Sequence, residues 1–229
     1  MNNIIERLKE KQLLWSAKKE PLLATDLQST GYVELDRQLG GGFVKSGVIE
    51  LISPRGIGEL RLLMPLWQQA QNEQLLVYIN SPGILNAGLL EQAGIDLERI
   101  LSIHVDEHHQ AMWAAEQCLK SGCCSDVLLW HEQAIQIHQL KRLQMAAEEG
   151  GCRQLILRTS KQDNIALPVD LSLSLFAHRQ GLQVVINKRK RGWPSAPFIV
   201  NMAHYWPHLC KPVEQNNIVY FPDLKKIVS

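Results

Sequence analysis

The stretch Val48-Ile49-Glu50-Leu51-Ile52-Ser53-Pro54-Arg55-Gly56-Ile57-Gly58-Glu59-Leu60 constrains this chain more than any other. Val48 to Ile52 is a short apolar run and predicts a buried strand. A turn rich in Pro and Gly follows, and Leu60 to Ala70 reads as an apolar helix. This is the strand–loop–helix setting of a phosphate-binding P-loop. A working loop, G-x-x-x-x-G-K-[ST], sends its Lys to the outer phosphates and its hydroxyl to magnesium. Here Ser53 stands at the first Gly, Gly58 at the second, Glu59 at the Lys and Leu60 at the hydroxyl. A carboxylate repels a triphosphate, and Leu cannot ligate a metal. The expectation is a degenerate nucleotide site without ATPase chemistry, in a protein that works by binding others. Taken alone, the segment also reads as an ordinary turn, because such motif matches carry many false positives.

Composition narrows the class. A chain of 229 residues suffices for one substantial core, and 45% hydrophobic with 21% charged residues is ordinary for a folded domain. A net charge of +1 gives no global pull toward nucleic acid or membrane. No apolar run has the ~20 residues of a membrane span, and the charged start has no signal-peptide pattern. A cytoplasmic location is expected. The five Cys (Cys118, Cys123, Cys124, Cys152, Cys210) contain no C-x-x-C pair and read as core residues or free thiols. His104, His108 and His109 fall in an expected polar loop with no Cys cluster to complete a metal set. Neither metal nor cofactor is expected.

Residues 1–20 read as an amphipathic helix carrying Ile4, Ile5, Leu8 and Trp15, and a polar linker runs to 28. Val33–Leu39 is a helix stopping at Gly40–Gly42. Strands are expected at Leu75–Ile79, Ile100–Val105, Val127–Trp130 and Leu155–Leu157. They alternate with helices at Leu85–Ala93, Ala111–Leu119 and Ile135–Glu149. Such alternation predicts an α/β fold, a mainly parallel twisted sheet flanked by helices. Late strands at Val169–Phe176, Leu182–Asn187 and Phe198–Met202 lack intervening helices and predict an antiparallel C-terminal extension. The α/β domain is expected over 29–204, with a Pro-rich tail over 205–229 (Pro207, Pro212, Pro222) on the surface.

Several motifs resemble the RecA recombinase family: Ser29-Thr30-Gly31 with Leu35-Asp36 and Leu39–Gly42 before the loop strand, Ala93–Leu101, Ser121–Trp130, and Val184–Lys188 with Ala196-Pro197-Phe198. The resemblance implies a RecA-like core over most of residues 29–200. Against that family's pattern the catalytic positions are lost. Beside Glu59 and Leu60, the general-base carboxylate falls at Pro82 and the metal-associated Asp at His131. Neither Pro82 nor a neutral His131 replaces the carboxylate that orients water in NTP hydrolysis. Only a short segment, Thr159–Leu167, stands where RecA carries a long DNA-contacting loop.

The chain is more similar still to the RecA-like ImuA and SulA group. Leu14-Trp15, Thr30–Leu51, Gly56–Pro65, Ala111–Trp130 and Leu140–Gly151 follow the ImuA pattern. What this resemblance implies is a non-catalytic accessory factor of the SOS response in translesion synthesis. Its partners would be RecA and an ImuB-like inactive Y-family polymerase subunit, with DNA contact weak or indirect and no membrane. The alternative is a SulA-type cell division inhibitor binding FtsZ. SulA proteins are usually shorter and lack the Ser29–Gly42 segment. A residual ATPase is a further rival.

Individual residues keep open alternatives. Glu59 is a repulsion of nucleotide or a solvated first-turn carboxylate. Lys188, Arg189, Lys190, Arg191 and Trp193 form the strongest charge cluster: a partner-binding patch, a solvated strand end, or a phosphate contact with Trp193 stacking on a base. Trp15 covers its own core or docks on a RecA-type subunit. Trp113 and Trp130 read as core. His131, Glu132 and His138 lack a nucleophile and do not suggest catalysis.

Overall fold

The computed structural model describes residues 26–69, 74–159, 168–190 and 192–211. The expected N-terminal helix with Trp15, and Arg191, lie outside the described residues. The elements are β1 (Leu27–Gln28), α1 (Val33–Leu39), β2 (Phe43–Val44), β3 (Gly47–Ile52), α2 (Glu59–Gln69), β4 (Leu75–Ile79), α3 (Ala87–Gln92), β5 (Ile100–Ile103), α4 (His108–Lys120), β6 (Cys124–Trp130), α5 (Ile137–Gly150), β7 (Arg153–Arg158), β8 (Leu171–His178), β9 (Gly181–Arg189) and β10 (Phe198–Asn201). The main sheet has eight strands in the order β10-β9-β8-β3-β7-β6-β4-β5. From β8 to β5 every pairing is parallel. The hairpin β8–β9 and then β10 add the antiparallel edge expected from the helix-free end of the chain. This mainly parallel, helix-flanked sheet has the form of a RecA-like core.

Side chains alternate along each central strand, so each strand feeds two cores. Ile49, Leu51, Leu76, Tyr78, Leu128, Leu155 and Leu157 face α1 and α2. Val48, Val77, Ile79, Val127, Leu129 and Ile156 face α4 and α5. Because both faces are covered, β3 is buried throughout and has no polar alternation.

The Ser29–Gly42 segment is built by two local devices. Asp36 Oδ1 accepts from the Thr30 amide at 2.8 Å and from Thr30 Oγ1 at 2.7 Å, and Oδ2 accepts from Ser29 Oγ at 2.5 Å. This ties the entry of α1 to its own middle. Gly42 then lets the chain pass Gln28 as β1 pairs antiparallel with β2. Its φ is +123°, and a Cβ there would lie 2.0 Å from the Gln28 carbonyl oxygen. This small two-stranded sheet is not apparent from the sequence. Its strands are two residues each, too short for a periodic signal.

Two expectations differ from the fold. Trp113 stands on α4 but is 61% exposed, not core. The buried stripe of α4 runs through Ala111, Met112, Ala115 and Leu119, and Trp113 falls outside it. His108 and His109 begin α4 instead of lying in a loop.

Candidate functional site

The candidate site sits at the carboxyl ends of the parallel strands, where an open α/β sheet leaves a crevice for ligands. There β3 runs into the loop Ser53–Gly58 and α2 begins at Glu59. In a phosphate-binding loop the backbone amides face an anion. Here that anion is built in. Glu59 Oε1 accepts from the Gly56 amide at 3.0 Å, and Oε2 accepts from the Gly58 amide at 3.1 Å. Glu59 is buried, at 8% exposure. Its carboxylate therefore stands where a phosphate group would have to go, a role distinct from either solvated display or repulsion alone. Gly58 has φ +115°, a backbone conformation that side-chain-bearing residues rarely adopt, so the loop favours glycine there.

The loop is also tied across the sheet. Ser53 is buried and its amide donates to the Arg158 carbonyl at 2.8 Å. Arg55 Nη2 lies 3.1 Å from Glu132 Oε1. Glu132 Oε2 accepts from the Thr159 hydroxyl at 2.7 Å and its amide at 3.2 Å. Partial burial pushes the Glu132 carboxyl up, but the Thr159 and Arg55 hydrogen bonds together hold it below the usual range. Below these groups Glu50 bridges Arg158 Nη1 at 3.3 Å and the Ser172 hydroxyl at 2.7 Å.

His131 follows β6 and is buried at 4% exposure. Desolvation first, then the His108 and Arg158 charges, lower its pKa to about 4, so the imidazole is neutral at pH 7. Its ring meets His108 edge-on at 5.5 Å. Its amide donates to the Leu157 carbonyl, and Nδ1 is buried without a hydrogen bond. Among the described residues no group of three or more His, Cys, Asp or Glu could hold a metal ion.

Beside the filled loop lies an open groove of about 400 Å³. Gly58, Glu59, Leu60 and Pro82 line it together, with Leu89, Trp130 and Trp206 among its apolar walls. Trp130 stacks on the buried Tyr78 with ring centroids 6.1 Å apart. The structure thus unites four of the degenerate-site residues in one wall, while Ser53 and His131 lie off it. Sequence reasoning missed Trp206 and Leu209, which close the far side. Both follow the expected domain end at 204. The Tyr205-Trp206 pair, followed by Leu209 and Cys210, was the available signal. Tyr205 meets Tyr32 edge-on at 5.4 Å, and Cys210 packs on the core.

The basic cluster lies at the opposite end of the sheet, because Arg189 pairs with Leu171 at the start of β8. Arg189 Nη1 donates to the Gln38 carbonyl at 2.9 Å. Lys190 Nζ lies 2.6 Å from Asp170 Oδ1. These two cations serve intrachain contacts, and Lys188 also has a partner. Trp193 is 88% exposed beside them. The cluster and the groove are therefore separate surfaces.

A RecA-like sheet whose phosphate loop is filled by its own carboxylate defines the class. Residues 53–153 match the family model described as cell division inhibitor SulA. The chain is 28% identical over 127 residues to protein RecA of Gluconobacter oxydans, covering 55% of this chain and 36% of that protein. It is 30% identical over 123 residues to DNA repair protein RadA of Aquifex aeolicus, covering 44% and 28%. The chain thus spans about a third of the length of these curated relatives. Among solved structures, SulA from Pseudomonas aeruginosa is 27% identical, with a TM-score of 0.41 over 49% of this chain and 98% of that one. The family-model match and the curated relatives support the SulA/RecA-like superfamily at this coarse level and do not separate its branches.

Proposed function

We propose that this protein is a non-catalytic accessory factor of the DNA-damage response, of the ImuA type. In that role it binds RecA and an ImuB-like inactive Y-family polymerase subunit during translesion synthesis. The observation that carries the non-catalytic part is the Glu59 carboxylate seated on the Gly56 and Gly58 amides. The loop that would cradle a triphosphate is satisfied from within, and Leu60 supplies no ligand for magnesium. Binding then remains as the role of this end of the sheet. The ImuA-type reading is supported by the Ser29–Gly42 segment. It precedes the SulA-matched span of residues 53–153 and is packed into the core through Tyr32, Leu35 and Leu39.

A second reading, a SulA-type division inhibitor acting on FtsZ, is favoured by the family match itself. Affinity capture of the full chain from DNA-damaged cells separates the two. RecA together with an inactive Y-family polymerase subunit in the eluate supports the first reading. FtsZ as the main partner replaces it with the second.

A further inference from the structure

We propose that the groove beside the filled loop is a docking site for the chain's own C-terminal segment, seated through Ile218, Val219, Tyr220 and Phe221. The groove is apolar and open, and its rim carries large apolar side chains in water. Ile84 is fully exposed and Leu209 is 60% exposed. Exposed apolar side chains clustered around a concavity call for an apolar occupant.

The path of the chain selects which one. Lys211 is the last described residue, and its amide donates to the Arg179 carbonyl at 2.9 Å. Arg179 lies in the β8–β9 turn, and β8 runs parallel to β3, so this turn shares the end of the sheet with the loop Ser53–Gly58. Leu209, two residues earlier, is already part of the groove wall. The sequence beyond Lys211 runs Pro212-Val213, then the polar Glu214-Gln215-Asn216-Asn217, and then reads Ile218-Val219-Tyr220-Phe221-Pro222. The six-residue spacer 212–217 reaches at most about 20 Å, enough to fold back on the wall it has just left. A tether this short holds the apolar run at an effective concentration on the order of millimolar. The other undescribed end is placed differently. Asp26 accepts from the Lys45 amide, and the β1–β2 ribbon sits by Gly47 and Arg153, at the start of the strands. Asp26, the first described residue, therefore lies at the far end of the sheet from the groove.

Docking the tail makes the groove a self-covered surface, so that a partner using it has to displace residues 218–221. This holds whichever partner the protein serves.

The test uses the full chain, the Tyr220→Asp/Phe221→Asp double variant, and Ile84→Asp. Ile84 is fully exposed, so its replacement leaves folding intact. Hydrogen exchange is followed at residues 84–90 and 206–209. Both variants are expected to exchange about tenfold faster there than the parent, with unchanged melting temperatures. A synthetic peptide of residues 212–229 is expected to bind the double variant and not the parent, whose groove is already occupied. Unchanged exchange in both variants overturns the proposal, as does a peptide that fails to bind the double variant. A parent that sediments as a dimer, dissociated by Ile84→Asp, also overturns it and assigns the groove to a second copy.

Discussion

The Tyr32 hydroxyl donates to the Arg61 carbonyl at 2.9 Å, across a sequence separation of 29 residues. The bond answers a defect in α2. Pro65 lies inside the helix and has no amide hydrogen for the carbonyl four residues back, which is that of Arg61. Tyr32 is 2% exposed, and burial pushes its phenol up to about 12. The phenol is therefore a neutral donor at all working pH. Gly31 permits the approach: its φ is +85°, and a Cβ there would lie 2.5 Å from Pro65 Cβ.

Tyr32→Phe is expected to destabilise the fold by about 1–3 kcal/mol, the range for a buried carbonyl left unpaired. In a Pro65→Ala background the helix regains its own donor, and the loss from Tyr32→Phe should shrink. Urea melts of the four proteins of this double-mutant cycle measure the difference. Equal losses in both backgrounds would show that the hydroxyl does not act through Arg61.

Asp170 and Lys190 set the terms for any test of the basic cluster. Asp170 is buried, and its Oδ2 accepts from the Val48 amide at 2.9 Å at the start of the loop strand. Asp170→Ala leaves that amide unpaired and is expected to destabilise by about 1–3 kcal/mol. Lys190 is 44% exposed, so its own loss is expected to stay under about 1 kcal/mol. Chemical denaturation of the two single variants checks the ordering.

Much of this architecture was readable from the residues. Covered faces and alternating helices identified the parallel sheet, and β4 (Leu75–Ile79) has the expected bounds. The identities Ser53, Glu59 and Leu60 marked the altered loop. What Glu59 does was not readable. A carboxylate at a helix start is compatible with solvent or with amides, and only the folded loop brings the Gly56 and Gly58 N–H groups to both of its oxygens. The groove was hidden for a related reason. Its walls come from α2, the 81–90 segment, the end of β6 and residues 206–209, and no local pattern links these. Trp113 misled because helical spacing fixes which residues share a face but not which face is covered.

His131 gives the fold a pH dependence. Its pKa falls from an ordinary 6.5 to about 4 on folding, because burial disfavours the cation. Between these values the unfolded chain binds the proton more readily than the folded one, so stability falls with falling pH. The contribution is fully present above about pH 6.5 and is lost progressively down to about pH 4, with a ceiling on the order of 3 kcal/mol. His131→Asn should flatten this part of the stability–pH curve. Urea midpoints of parent and variant at pH 7 and pH 5 test it. A parallel fall in both would move the dependence to other groups.

Glu59 offers the most direct test of the filled loop. Removing its carboxylate leaves the buried Gly58 amide and the Gly56 amide without their acceptor, so Glu59→Ala is expected to destabilise by about 1–3 kcal/mol. The vacated amides then form an anion site at a helix start. Inorganic phosphate should raise the melting temperature of Glu59→Ala more than that of the parent. The parent responds only through general exclusion of the salt from its surface, because its loop already holds an anion. Glu59→Gln keeps one oxygen acceptor but presents an amide donor to the second N–H, and should lie between the two in stability. Thermal melts across a phosphate series give all three comparisons. A larger rise for the variant supports the carboxylate as a resident substitute for phosphate. Equal rises would mean that the loop amides do not take an anion, and Glu59 would then be a local cap of α2 alone.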